Sequence, residues 1–565
     1  LPKEVLGLYW AKNMYWRAGK PERFVRPVRW VVALLDSNVV PLEIAGIKAG
    51  NVSRGHRIIN GEAPVRIGEA SAYIERLRNA HVVADVAERR YKLRQALDKA
   101  TRALPGARWR EDEPLVETVT HLTEWPAAIL GDFEVEYLDL PEEVLVTVMR
   151  DHQKYFAVES VDGKLGPHFL AVLNTETDEE GAAIIRHGNA RVLRARFKDA
   201  QFFWNMDQKK PLTERVESLK SVTFQKELGS YFWKTEQNLK VANALTASVE
   251  NAGLPFDKTA MLKAVALAKT DLTTELVKEF TELQGIIGGL YARAQGLGDT
   301  VAKAIYEQYT PASIEDAIPS TVEGQLLGIS DRIQTIVSMF SIGMAPTGSK
   351  DPFALRRAAN AIVKILAESA LPFTIGDLLD WASAPQSHRK DLELFFAERV
   401  EFYLKDVRGF EYDVVNAVKG SGKFNVRDGI AWAEALNEAR NSQDFISVSA
   451  AFKRMKNILR QAQTMGAQID PTPIFTEQSV EEEGVRLHEI TKLVFAEAKR
   501  LIQQKKLKES LRIIGTLRPW VDAFFDKPVV VMHEDPNIRA TRLALVHEVF
   551  FAFSSIADFS EIVAG

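Results

Sequence analysis

From about residue 186 to its end the sequence reads almost wholly as helix, and only the stretch before that carries the short alternating runs of a sheet. A chain with that switch is expected to be α+β: a mixed N-terminal region followed by helical domains. At 565 residues it is too long for one hydrophobic core, and about four domains is the expected number. The 46% apolar and 26% charged content is that of an ordinary globular protein, so the helices must be tertiary elements with packed faces.

Within the mixed region, residues 28–35 form a short apolar run rich in β-branched side chains. With residues 39–47 they predict paired strands. Residues 70–104 predict one helix, in which Ile74, Leu77, Val82 and Leu93 punctuate charged positions and Pro105-Gly106 stops the run. Residues 155–158 and 169–173, joined through Asp162-Gly163, predict a hairpin. Further on, turn clusters at 296–298, 346–350, 420–423 and 470–473 separate the helices.

Charge and cysteine content exclude several function classes. The net charge is −4, from 72 basic and 76 acidic side chains, so any surface for a polyanion must be a local patch. There is no cysteine, which removes disulfides, thiolate catalysis, iron–sulfur clusters and cysteine zinc sites. No segment approaches the ~18 uninterrupted apolar residues of a membrane span, and Leu1-Pro2-Lys3-Glu4 is not a signal peptide. A cytoplasmic protein without membrane contact is expected. Leu1 stands where an initiator Met would, which implies a native start upstream.

Four segments could meet nucleic acid or its phosphates. Between Tyr9 and Trp30, the cations Lys12, Arg17, Lys20, Arg23, Arg26 and Arg29 interleave with Tyr15, Trp16 and Phe24. Phosphate-neutralising cations beside flat rings suit loop or single-stranded RNA; the alternative is a core of rings with a solvated basic rim. Ser53-Arg54-Gly55-His56-Arg57 follows, where a glycine between basic residues would let backbone approach a phosphate. Over 184–204, His187, Arg191, Arg194 and Lys198 share one helix face, and Leu193, Phe197, Ala200 and Trp204 share another. The blander reading of that basic stripe is solvation. Finally, Thr347-Gly348-Ser349-Lys350-Asp351-Pro352-Phe353 predicts a helix start with Asp351 as N-cap and Pro352 at the first position. Such a terminus can bind an anion, although the spacing is not that of a Walker loop.

Active-site signatures are missing. His488, His533 and His547 each precede a Glu, but none has a second His four residues on. No Gly-rich dinucleotide fingerprint follows a strand, and no Gly-x-Ser-x-Gly elbow occurs. His81 and His121 are expected to be structural.

Taken together, a series of strings resembles the signatures of the glycyl-tRNA synthetase beta subunit family. They are Arg23-Phe24-Val25-Arg26-Pro27-Val28-Arg29-Trp30, Ser53-Arg54-Gly55-His56-Arg57 and His152-Gln153-Lys154-Tyr155-Phe156. Next come Gly188-Asn189, Arg191-Val192-Leu193-Arg194-Ala195-Arg196, Phe202-Phe203-Trp204 and Leu219-Lys220-Ser221-Val222-Thr223-Phe224-Gln225. The series ends with Glu279-Phe280-Thr281-Glu282-Leu283-Gln284-Gly285 and Pro346-Thr347-Gly348-Ser349-Lys350-Asp351-Pro352-Phe353-Ala354-Leu355-Arg356-Arg357. The resemblance holds in order and spacing along essentially the whole chain, and the family carries additional chain before this Leu1.

The resemblance implies an α+β, multidomain and mostly helical protein. It would hold a mixed α/β tRNA-interacting region over 1–225, a degenerate HD-like helical domain over 226–375, and a helical linker and anticodon-binding domain over 376–565. Where an HD-type dyad would sit, this chain has Lys269-Thr270-Asp271, so the domain is read as a hydrolase scaffold without hydrolase chemistry. The last helix would be capped by Asp535-Pro536 and bury Leu543, Val546, Phe550 and Phe553. Expected tRNA contacts are Arg26, Arg29, Arg54, His56, Arg57, His152, Lys154, Arg191, Arg194, Lys198, Lys350, Arg356, Arg539 and Arg542, with no catalytic residue and no metal ligand. The implied partners are tRNA(Gly) and a class II alpha subunit in an alpha2/beta2 tetramer. ATP and Mg would be used through the alpha subunit and no cofactor held by this chain. Two rival readings are a metal-dependent HD-type phosphohydrolase and a class I arginyl-like synthetase. The second would need His-Ile-Gly-His and Lys-Met-Ser-Lys-Ser strings, which do not occur. A scaffold without RNA affinity is a third.

Overall fold

The computed structural model describes residues 1–10, 12–348, 350–419, 426–470, 473–526 and 531–563. The expected turn at 420–423 lies outside them, as do residues 471–472 of the turn at 470–473 and Ser349. The chain divides into two compact units, residues 1–210 with 274–284, and residues 211–273 with 285–565.

The first unit is built on a four-stranded antiparallel sheet in the order Arg108–Trp109, Phe156–Glu159, Leu165–Leu173, Ala127–Asp132. The expected hairpin forms here: Phe156 faces Leu170, Ala157 faces Phe169, and Gly163 turns the chain at a φ of 78°. Two helices, Val86–Thr101 and Glu113–Leu122, cover one face. Leu93, Leu97, Val116 and Val119 from the helices meet Trp109, Phe156, Val158 and Leu170 from the strands, all buried. Each fully buried Val, Leu or Phe contributes roughly 1.5–3 kcal/mol of transfer free energy, so this cluster anchors the unit.

Two expectations for this unit are corrected. The 28–47 region is not a pair of continuous strands but a set of short ones. Val31–Val32 runs parallel to Ile47–Gly50, and Leu34–Leu35 folds back on Asn38–Val39. Left-handed residues at Asp36, Ala45 and Gly46 turn the chain too often for long strands. The single helix expected over 70–104 is broken as well. Tyr73–Asn79 ends before His81, which is left-handed, and Val86–Thr101 starts anew from Asp85, whose carboxylate accepts the Glu88 N–H at 2.7 Å.

The long Glu179–Asp207 helix closes the unit. Asp178 caps it by accepting the Gly181 N–H at 2.8 Å. Leu193, Phe197 and Ala200 are fully buried, with the Phe197 ring 5.0 Å from Phe133 and 5.3 Å from Tyr137. This is the packing face that the spacing predicts.

Among its described residues the second unit is helical apart from a small pair of strands, Thr223–Gln225 with Gly229–Ser230. Its Val322–Ser341 helix is buried along most of its length and packs against Tyr231–Asn251, Lys258–Leu267 and Leu355–Glu368. Pro536–Ser554 is capped by Asp535 and buries Leu543, Val546, Phe550 and Phe553, as expected. Among the described residues no helix is long and apolar enough to cross a membrane.

Candidate nucleic-acid interface

The N-terminal aromatic–basic segment splits its rings between core and surface. Met14–Tyr15 pairs with Arg23–Phe24. Alternation along these strands sends Trp16 and Phe24 inward, their rings 5.1 Å apart, and leaves Tyr15 outside. The Arg23 guanidinium lies 4.4 Å above the Tyr15 ring and donates to its hydroxyl at 2.6 Å, which holds both flat groups at the surface. Tyr9, Trp30, Lys12, Lys20, Arg26 and Arg29 are exposed. Over residues 8–35 Glu22 is the sole acid, and it already faces Arg17 at 3.5 Å. Arg26 and Arg29 have no ion-pair partner among the described residues.

The 53–57 string is mostly occupied by its own chain. His56 is buried; its Nε2 donates to the Asn174 carbonyl, and Nδ1 accepts the Ile58 and Ile59 N–H groups at 3.3 and 3.2 Å. Both ring nitrogens are used, so His56 holds the loop and is not available to RNA as expected. Gly55 also has an internal reason: a Cβ there would lie 2.6 Å from the Ala80 Cβ. Arg54 donates to the Glu62 carbonyl, and Arg57 points out, exposed.

His152 and Lys154 are likewise engaged internally. The His152 ring sits 5.0 Å from Phe280, and left-handed Lys154 donates to the Asp151 carbonyl at 2.9 Å. On the Glu179–Asp207 helix, His187, Arg191 and Lys198 are exposed, whereas Arg194 forms an ion pair with Glu134. The basic stripe is therefore two open cations, Arg191 and Lys198, an exposed imidazole at His187 and one internal pair.

The helix start near 351 differs from expectation. Leu355–Glu368 begins four residues after Asp351, whose carboxylate accepts the Leu355 and Arg356 N–H groups at 2.8 and 2.9 Å. The N-terminus that could have bound an external anion is filled by the chain's own carboxylate. Lys350 closes a turn with Thr347 through two backbone hydrogen bonds of 2.8 and 3.0 Å, and its side chain is exposed.

Arg539 and Arg542 turn inward. Arg539 donates to the His533 carbonyl at 3.0 Å. Arg542 is buried, donates to the Ser479 carbonyl at 3.0 Å, and pairs with Glu481 at 3.0 Å. Glu481 has a φ of 64° and kinks the Glu477–Gln503 helix. Arg542 thus supports a kink, and it is not placed to read a base edge.

At the locus assigned to a degenerate dyad, the interior holds lysines. Lys269 is almost fully buried, and its ammonium donates to Gln308 Oε1 and the Tyr309 hydroxyl at 2.8 Å and to Asp331 Oδ2 at 3.0 Å. Those three contacts use all three donors. Lys234 approaches the other carboxylate oxygen at 3.0 Å and donates to Gln334 and Thr335 at 3.0 and 2.6 Å. Burial pushes Asp331 up, but the two ammonium groups outweigh it and hold the carboxyl well below its ordinary range. Burial lowers Lys234 to about 8 against the pull of Asp331. A protonated amine cannot ligate a metal, so Lys269 contributes a positive charge where a dyad would contribute ligands.

Beside this cluster, Asp271 is buried and accepts the Gly285 N–H at 2.5 Å. Burial raises it from 3.8 to about 6, against that bond and Lys269. The folded chain therefore keeps a proton that the unfolded chain has lost between those values. This group's contribution is present below the unfolded value and is lost as pH rises through the folded one, on the order of 3 kcal/mol. Asp271→Asn is expected to flatten that decline. The urea-midpoint difference between variant and wild type should grow in the variant's favour from about pH 4 to about pH 7.

The sequence model described as glycyl-tRNA synthetase beta subunit matches residues 1–420. A chain named glycine–tRNA ligase beta subunit from Acidobacterium capsulatum is 59% identical, over 100% of this chain and 81% of its own length. Its namesakes from Myxococcus xanthus and Clostridioides difficile are 39% and 36% identical, over 99% and 100% of this chain and 80% of their own. The protein is thus a component of an aminoacyl-tRNA synthetase, a ligase of protein biosynthesis. It belongs to the glycyl-tRNA synthetase beta subunit family.

Proposed function

We propose that this chain binds and positions tRNA(Gly), including its anticodon, while a separate class II alpha subunit activates glycine with ATP. The likeness to chains named as beta subunits, over the whole sequence, carries this reading. A beta subunit implies an alpha partner, and an alpha2/beta2 tetramer is the assembly we propose. The complex would convert glycine, ATP and tRNA to glycyl-tRNA, AMP and pyrophosphate, with Mg and ATP held by the alpha subunit.

Geometry supports a particular RNA surface. Arg26 and Arg29 lie between the Arg23–Tyr15 stack and Trp30 in the sequence, and together these residues supply open cations and exposed rings, which is what splayed RNA bases and their phosphates require. Arg57 is a further open cation of the same unit, and Lys350 is an open cation of the second unit taken by itself. The test is filter binding of tRNA(Gly) to the isolated chain at two salt concentrations. Binding that weakens steeply with salt is expected; no retained tRNA at low salt would refute the reading.

A further inference from the structure

The Glu179–Asp207 helix has a third face that neither packing nor RNA accounts for. The helix is 29 residues long, about 43 Å at 1.5 Å per residue. Opposite the buried Leu193, Phe197 and Ala200 runs an exposed apolar stripe. Ile184, Val192, Phe202 and Met206 lie in it and are 68%, 47%, 62% and 47% exposed. Gly188, Ala195 and Asp199 complete the stripe, so from Val192 onward its members are spaced three and four residues apart. That is the seam of a helix pair, with small residues at Gly188 and Ala195 that admit close approach.

One border of the seam is positive. His187, Arg191 and Lys198 stand along it, exposed and without ion-pair partners among the described residues. From 181 to 206 the sole acid is Asp199. We propose that this face docks an amphipathic helix of the alpha subunit that has apolar residues at the same spacing and carboxylates on the flank facing Arg191 and Lys198. The proposal rests on the beta-subunit reading and identifies the surface through which the two chains meet.

The alternatives fit less well. A second copy of this chain using the same face would form a two-fold antiparallel pair, which sets each basic border against itself. RNA would satisfy the cations and find one ring, Phe202, but Ile184, Val192 and Met206, the rest of the apolar stripe, offer no flat surface for a base. An acidic-flanked helix satisfies both borders and seam at once.

The experiment titrates the full chain with the purified alpha subunit by sedimentation velocity, and measures tRNA(Gly) binding by the chain alone. Phe202→Asp with Met206→Asp, confirmed as folded by circular dichroism, is expected to weaken assembly at least about thirtyfold, as loss of central apolar anchors does. Its tRNA affinity should stay within about twofold, because neither side chain offers a phosphate contact and one ring in an otherwise ring-free stripe is a poor platform for bases. Arg191→Glu with Lys198→Glu should also weaken assembly, less so at high salt. A photo-crosslinker at Val192 should capture an alpha-subunit segment with apolar residues three and four apart and acids beside them. Unchanged assembly in the folded variants overturns the proposal. So does loss of tRNA binding with assembly intact, which would make the face an RNA surface. Loss of self-association by the isolated chain would assign the face to a second copy instead. If wild-type chain and alpha subunit do not assemble while tRNA still binds, the subunit reading itself fails.

Discussion

Asp331→Asn is expected to cost the second unit about 3–5 kcal/mol of stability, because it leaves two buried ammonium groups without their shared counter-charge. The amide keeps one acceptor and the shape of the side chain, so packing alone would predict a far smaller change. The charge explanation has its own control. Lys234→Met, Lys269→Met and Asp331→Leu together remove both ion pairs made by Asp331, and apolar replacement of buried ion pairs is commonly neutral or stabilising. Urea unfolding followed by tryptophan fluorescence should place the triple variant well above the single one. A single variant as stable as wild type would show that the cluster is not ionised as its geometry implies.

The second large effect concerns RNA. Arg26→Ala with Arg29→Ala should weaken tRNA(Gly) binding about tenfold or more, and reduce the salt dependence by about one to two ions, at close to one counterion per phosphate contact. Both side chains are exposed and unpaired among the described residues, so thermal stability should barely move. Arg542→Ala is expected to behave oppositely. It removes a buried guanidinium from Ser479 and Glu481, so its loss is in the stability of the kinked Glu477–Gln503 helix. Filter binding alongside thermal melts separates the two classes.

These contrasts show what could be read from residue order. Periodicity located the Glu179–Asp207 helix and its buried Leu193, Phe197 and Ala200, because a 3.6-residue repeat depends on one helix and one core. The Asp535-Pro536 cap and the 156–173 hairpin were legible for the same local reason. Which cations stay open was not legible. Arg194 finds Glu134 60 positions away and His56 finds Asn174 118 away, and no spacing rule reports such pairs. Lys234 and Asp331 carry no spacing signal because they lie in different helices, and only tertiary folding joins them at Lys269. A signal was present in the charged Asp331-Arg332 pair inside the apolar Val322–Ser341 run, since charges buried there require partners. Asp351 lies close enough to its helix for the cap to be legible, but Pro352 and Phe353 form a turn, so the first helical residue is Leu355.

The central claim is a division of labour, with glycine activation on another chain. Glycine-dependent ATP–pyrophosphate exchange tests it directly, first with this chain alone and then with purified alpha subunit added. Background exchange is expected from this chain at any concentration, and exchange together with tRNA charging once both chains are present. Robust exchange by this chain alone would contradict it.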